Sequence, residues 1–205
     1  KDQNAAAAFF EGTFLADLGN FIANSPDNNL PGLGWWVFIV TVFYFVVPVL
    51  IIKLVWRADL KDFGLKFGIE NGFWKIVAGG TAVMLPLVYL MSLTEGFAAK
   101  YPFLQIYNGE PYVGGTLIAW ELIYFLQFFG LEFFFRGFLV HSLKPSLGLY
   151  SIFVMTVPYC MIHFGKPMAE TVGAVFAGLI LGTLSLRTRS IWAGVLIHIS
   201  VAVTM

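Results

Sequence analysis

Five polar side chains interrupt apolar stretches of this sequence and are the places where it could do chemistry: Glu121, Glu132, Arg136, His163 and His198. A charge or imidazole in hydrocarbon is costly, so by default it faces the interior of a helix bundle and serves a purpose there. Glu132 and Arg136 are four residues apart, on one helical face and close enough to pair. Glu121 lies eleven residues before Glu132, three turns, and shares that face about 16 Å away. A structural ion pair that merely lowers the cost of burying the helix explains Glu132 and Arg136 as well as a functional one does. The depths of the other residues carry more information. Counted along their helices, Glu132 sits about 16 Å, His163 about 22 Å and His198 about 11 Å from the same membrane face. These depths let a carboxylate, an arginine and two histidines meet within the membrane. Two histidines, a carboxylate and an arginine at matching depth point to a site.

The elements that must position these residues are membrane helices. The chain is 59% hydrophobic, 18% aromatic and 12% charged, with a mean hydropathy of +0.80, which a water-facing surface of this size cannot carry. Twelve basic residues balance twelve acidic ones, leaving no excess of the kind that marks a nucleic-acid partner. The single cysteine, Cys160, has no second cysteine for a disulfide or thiolate metal site. The chain begins at Lys1 and stops at Met205 inside an apolar run, so both ends are treated as open, and no signal peptide is visible in what is present.

An all-α, polytopic bundle of about six spans is expected. Three spans are clear: Leu33–Trp56, Phe73–Leu93 and Thr116–Leu143. Gly148–Ile162, Thr171–Leu186 and Ile191–Met205 are shorter or less pure. Pro48 and Pro86 are expected to kink the first two. Gly173, Gly178 and Gly182 make the fifth suited to close packing. Ahead of the spans, a segment over 1–32 combines a loop at Asn24–Gly34 with one interfacial helix, in which Phe9, Phe10, Phe14, Leu15, Leu18, Phe21 and Ile22 oppose Glu11 and Asp17. The membrane domain then occupies 33–205. Lys53, Arg57, Lys61, Lys66, Lys75, Lys144, Arg187 and Arg189 fall on one side and Lys1, Lys100 and Lys166 on the other, which puts the N-terminus outside and the larger set in the cytoplasm.

Three stretches resemble the motifs of one family: Leu131-Glu132-Phe133-Phe134-Phe135-Arg136-Gly137, Tyr159-Cys160-Met161-Ile162-His163-Phe164-Gly165-Lys166-Pro167, and Ser190-Ile191-Trp192-Ala193-Gly194-Val195-Leu196-Ile197-His198. They look like the EExxxR motif, the aromatic residue four before a histidine, and the HxxxN motif of the CAAX-protease and bacteriocin-processing (CPBP) family, the glutamic intramembrane proteases that include the CAAX prenyl endopeptidases. Leu60-Lys61-Asp62-Phe63-Gly64-Leu65 also resembles that family's stretch before the second span. The order and spacing match from Leu60 to the end.

The resemblance implies an intramembrane endopeptidase acting on a membrane-associated protein or peptide, in the bacterial cytoplasmic (inner) membrane, with Glu132, Arg136, His163 and His198 as the retained catalytic set. Two positions depart from the family. Leu131 stands where it has its water-activating glutamate, and Ala202 where it has the asparagine of the oxyanion site. On this expectation Glu132 shares a water with His163, His198 donates to the oxyanion, Arg136 holds Glu132 or a substrate carboxylate, and Glu121 is an alternative base. No cofactor is expected. Zinc at Glu132, His163 and His198 ranks second, because no HExxH helix is present. The competing class keeps the fold without chemistry, as an accessory subunit of a larger membrane complex or an immunity factor. A transporter ranks third, since no inverted repeat is evident.

Overall fold

The computed structural model describes residues 2–66, 72–106 and 114–204, and its secondary structure is helical apart from one isolated bridge between Leu65 and Ser190. Two short helices, α1 (Asn4–Phe10) and α2 (Ala16–Ala23), pack as a hairpin where one interfacial helix was expected. Gly12, at a φ of 72°, turns the chain between them. Gly19 lets the two approach so closely that a Cβ there would lie 2.8 Å from the carbonyl oxygen of Ala6. Ala6 and Ile22 bury against Trp35 of the first span, whereas Phe14 and Phe21 stay exposed.

The first span, α3, runs Leu30–Val55 and begins earlier than expected. Asn29 caps it by accepting from the Gly32 amide, with Pro31 in the first turn, so the end of the predicted loop is a helix start. Pro48 lies in a short α segment between two π-helical stretches of this continuous helix. The second span, α4 (Phe73–Ser92), keeps Pro86 inside a single helix. A short helix, α5 (Glu95–Ala98), leads into the segment before α6, a continuous helix over Gly115–Leu147. Then follow α7 (Tyr150–Met161), α8 (Met168–Thr188) and α9 (Trp192–Ala202). The last predicted residue, Met205, and Lys1 of the charge count lie outside the described residues.

Four of these helices, α3, α4, α6 and α8, are long and apolar enough to cross a bilayer; α7 and α9 are shorter apolar helices. The expected six spans are therefore four full-length helices and two short ones. The twelve residues of α7 rise only about 18 Å, well short of ~30 Å of hydrocarbon. Irregular backbone at such a depth is tolerated only where protein encloses it, and the turn after α7 is held by its neighbours as described below.

Small residues set the helix spacing. A Cβ at Gly178 would meet Thr156, and one at Gly182 would lie within 3.0 Å of Ile152 and Met155, so α8 seats directly on α7. Gly173 has open space around it and takes no part in that contact. Gly80 of α4 similarly accepts Ile197 of α9, and Thr81 Oγ1 lies 3.0 Å from Ser200 Oγ across the same pair. Three apolar clusters fill the bundle, one around Leu33, Trp120 and Tyr124, one around Leu131, Met155 and Tyr159, and one around Ile52, Phe133 and Val195.

Candidate functional site

Glu132 closes the regular α-helical part of α6, and the next seven residues, Phe133–Leu139, form a π-helix that carries Arg136. π-helical turns inserted in α-helices are rare and often found at functional sites. Gly137 in this turn is needed for a close approach, since a Cβ would lie 2.6 Å from the Phe63 carbonyl oxygen in the 3₁₀ turn Leu60–Phe63. Gly64, at a φ of 85°, then accepts at its carbonyl from the Ile191 amide at 3.1 Å. The stretch 60–65 thus clamps the π-helical turn of α6 to the start of α9.

Glu132 and Arg136 are both fully buried, with Arg136 Nη1 3.2 Å from Glu132 Oε1. The same oxygen is 2.7 Å from His198 Nδ1 on α9. Gly194, one turn before His198, makes this possible, because a Cβ there would collide with Glu132 Oε2. A carboxylate only accepts, so His198 Nδ1 carries the hydrogen and, in the neutral ring, Nε2 is left as the acceptor. Tyr159 Oη donates to that Nε2 at 3.3 Å. The guanidinium of Arg136 lies over the Tyr159 ring, Cζ 3.8 Å from its centroid, and Phe128 stacks on His198 at 5.3 Å. Carboxylate, imidazole and phenol form one chain, with the arginine against both ends of it.

His163 follows the short α7. Its Nδ1 is 2.8 Å from the Tyr159 carbonyl oxygen, which can only accept, so Nδ1 donates and, in the neutral ring, Nε2 is a lone pair with no hydrogen-bond partner among the described residues. The rings of Tyr159 and His163 are 4.8 Å apart. Thr171 Oγ1 of α8 donates to the His163 carbonyl at 2.9 Å. Beyond it, Lys166 Nζ donates to Glu170 Oε1 at 2.6 Å and Tyr101 Oη donates to Glu170 Oε2 at 2.8 Å. Burial, and then the neighbouring Glu170 carboxylate, push the Tyr101 hydroxyl far above the ordinary phenol range, so it remains a donor. These contacts enclose the turn after α7.

The geometry divides the expected site residues. Glu132, Arg136 and His198 touch directly. His163 reaches the group through Tyr159, and no hydrogen bond or ion pair joins it to Glu132 among the described residues. Glu121 stays about 16 Å up the continuous α6 helix and is partly exposed. Leu131 is buried with Phe135, Met155, Tyr159 and Ala174, and Ala202 is buried in the cluster of Leu104, Trp120 and Tyr124. The zinc set fits poorly: among the described residues no three His, Cys, Asp or Glu side chains are grouped to hold a metal, and the Nδ1 of His198 is turned onto Glu132 itself, 2.7 Å from Oε1. The residue that sequence reasoning left without a role is Tyr159. Its signal was present, as the aromatic position four before His163, but nothing in the spacing indicated that its hydroxyl would reach the last helix.

Residues 114–204 match the family model of the type II CAAX prenyl endopeptidase Rce1-like proteins. All three motifs and the whole Glu132–Arg136–Tyr159–His163–His198 constellation lie inside the matched residues, so the resemblance read from the motifs holds. No curated protein and no solved structure matches the chain.

Proposed function

From its Rce1-like second half, we propose that this integral membrane protein is an intramembrane endopeptidase of the CAAX-protease type, hydrolysing a peptide bond of a membrane-associated substrate. The observation that carries the reading is the division of labour between the two histidines. Glu132 and Tyr159 face the two ring nitrogens of His198, whereas His163 has its Nδ1 tied to backbone and, among the described residues, no partner at Nε2. In this reading His163 is the general base that takes a proton from water and returns it to the leaving amine. Glu132 is not that base: Arg136 and His198 engage it, and its role is to orient His198 at the wall where the oxyanion forms. Arg136 neutralises Glu132. The bilayer supplies the lipid partner, the proposed location is a bacterial cytoplasmic membrane, and the charge count places the N-terminus outside.

A second reading, a family fold retained without chemistry as an accessory subunit or immunity factor, is favoured by one observation. Both departed positions, Leu131 and Ala202, are packed into apolar clusters, where a catalytic carboxylate and amide are expected. Reconstitution in lipid with membrane proteins of the native host, followed by mass spectrometry of new termini, separates the two. The protease reading expects cleavage that His163→Ala and His198→Ala abolish, that Glu132→Gln lowers, that Glu121→Gln spares and that EDTA leaves intact. No cleavage by the wild type, together with stable co-purification in a larger complex, selects the second reading.

A further inference from the structure

The site has a base, an oriented imidazole and a cation, yet His198 Nε2 accepts and is not a donor for a developing oxyanion in the neutral ring. Ala202, one turn further along α9, carries no polar group at all. The Arg136 guanidinium makes no hydrogen bond among the described residues, but it is fixed in place by its ion pair with Glu132 at 3.2 Å and by the ring face of Tyr159 beneath it. Among the groups described at the site, the polar hydrogen able to turn is the Tyr159 hydroxyl. It belongs to a side chain 1% exposed, rests on His198 Nε2 at a long 3.3 Å, and lies in the ring that packs on His163.

We propose that Tyr159 is a further catalytic residue, the hydrogen-bond donor to the oxyanion of the tetrahedral intermediate. The proposal rests on the protease reading above. In the step, His163 Nε2 takes a proton from water as the water oxygen bonds to the peptide carbonyl carbon. The carbonyl π pair moves onto oxygen, and the Tyr159 O–H turns from His198 Nε2 to donate to that oxygen. When the pair returns, the C–N bond breaks and the amine takes the proton from His163. Atoms and charge balance without any co-reactant.

Two features of the structure tune Tyr159 for this work. The Arg136 guanidinium against its ring withdraws electron density and makes the O–H a stronger donor. The Glu132–His198 pair holds the hydroxyl in place between turnovers without consuming it, because a 3.3 Å hydrogen bond is readily exchanged for a shorter, charge-assisted one. The ring itself is locked by Phe135 at 5.3 Å in an edge contact, so only the hydroxyl hydrogen must move.

The test is Tyr159→Phe in the full chain reconstituted in lipid. It removes one oxygen and leaves the ring under Arg136. An oxyanion donor predicts a fall in kcat of roughly 10²–10³-fold with KM nearly unchanged and the melting temperature within error of the parent. Incorporation of 3-fluorotyrosine at 159, a more acidic phenol, is expected to keep kcat within a few-fold of the wild type, which a packing role alone does not predict alongside loss in the phenylalanine variant. Cleavage by Tyr159→Phe within about twofold of wild type overturns the assignment while leaving the protease reading intact. A loss of kcat that comes with a matching loss of stability, or that 3-fluorotyrosine fails to restore, also overturns it. Absence of cleavage by the wild type removes both readings together.

Discussion

Removing the Arg136 side chain tests whether the buried charges are a coupled unit. In Arg136→Ala, Glu132 stays fully buried and loses a cation 3.2 Å away, and the Tyr159 ring loses the guanidinium at 3.8 Å. Breaking a buried pair by deleting one partner costs about 3–5 kcal/mol, because the surviving charge is left uncompensated. His198 remains 2.7 Å from the same carboxylate oxygen and can take up part of the charge, which places the expected loss near the lower end, about 3 kcal/mol. The double variant Glu132→Gln/Arg136→Met removes both charges at similar volume and is expected to lie within about 1 kcal/mol of the parent, since the cost of burying ions disappears along with their attraction. Equilibrium unfolding in micelles by steric trapping measures the parent, Glu132→Gln, Arg136→Met and the double variant, and the coupling is the difference between the double variant and the sum of those singles. An Arg136→Ala protein as stable as the parent, or a double variant as unstable as the sum of its singles, refutes the reasoning that Glu132 depends on Arg136.

Cysteines placed at Lys61 and Lys100, both exposed, in a Cys160→Ala background should label from opposite sides of the membrane, Lys61 from the cytoplasm; labelling of both from one side sinks the orientation. Gly137→Ala should cost about 1–3 kcal/mol, since its Cβ meets backbone at Phe63 that has little room to give, and faster proteolysis within residues 60–65 of the folded protein would report the opened clamp; unchanged stability argues against that contact. Leu131→Glu should destabilise the protein because it puts a carboxylate among Phe135, Met155 and Ala174; a variant as stable as the parent would show that water already reaches position 131.

Sequence alone determined the class of the molecule. Apolar runs of about twenty residues leave no alternative to membrane helices, because backbone polar groups must be satisfied within each segment, and α3, α4, α6 and α8 follow from that rule with shifts of a few residues. The four-residue spacing of Glu132 and Arg136 fixed their pairing for the same local reason. The N-terminal break at Gly12 was less legible, since helical periodicity continues through it while the backbone does not. Tertiary structure decided what no period encodes. Which carboxylate oxygen His198 touches depends on the close approach of α9 at Gly194, and the meeting of Tyr159 with both Arg136 and His198 depends on α7 ending short, seated on α8 through Gly178 and Gly182. Contacts between residues on different helices arise from helix crossing and small-residue packing. They are properties of pairs of helices, and a pattern read along one helix cannot contain them.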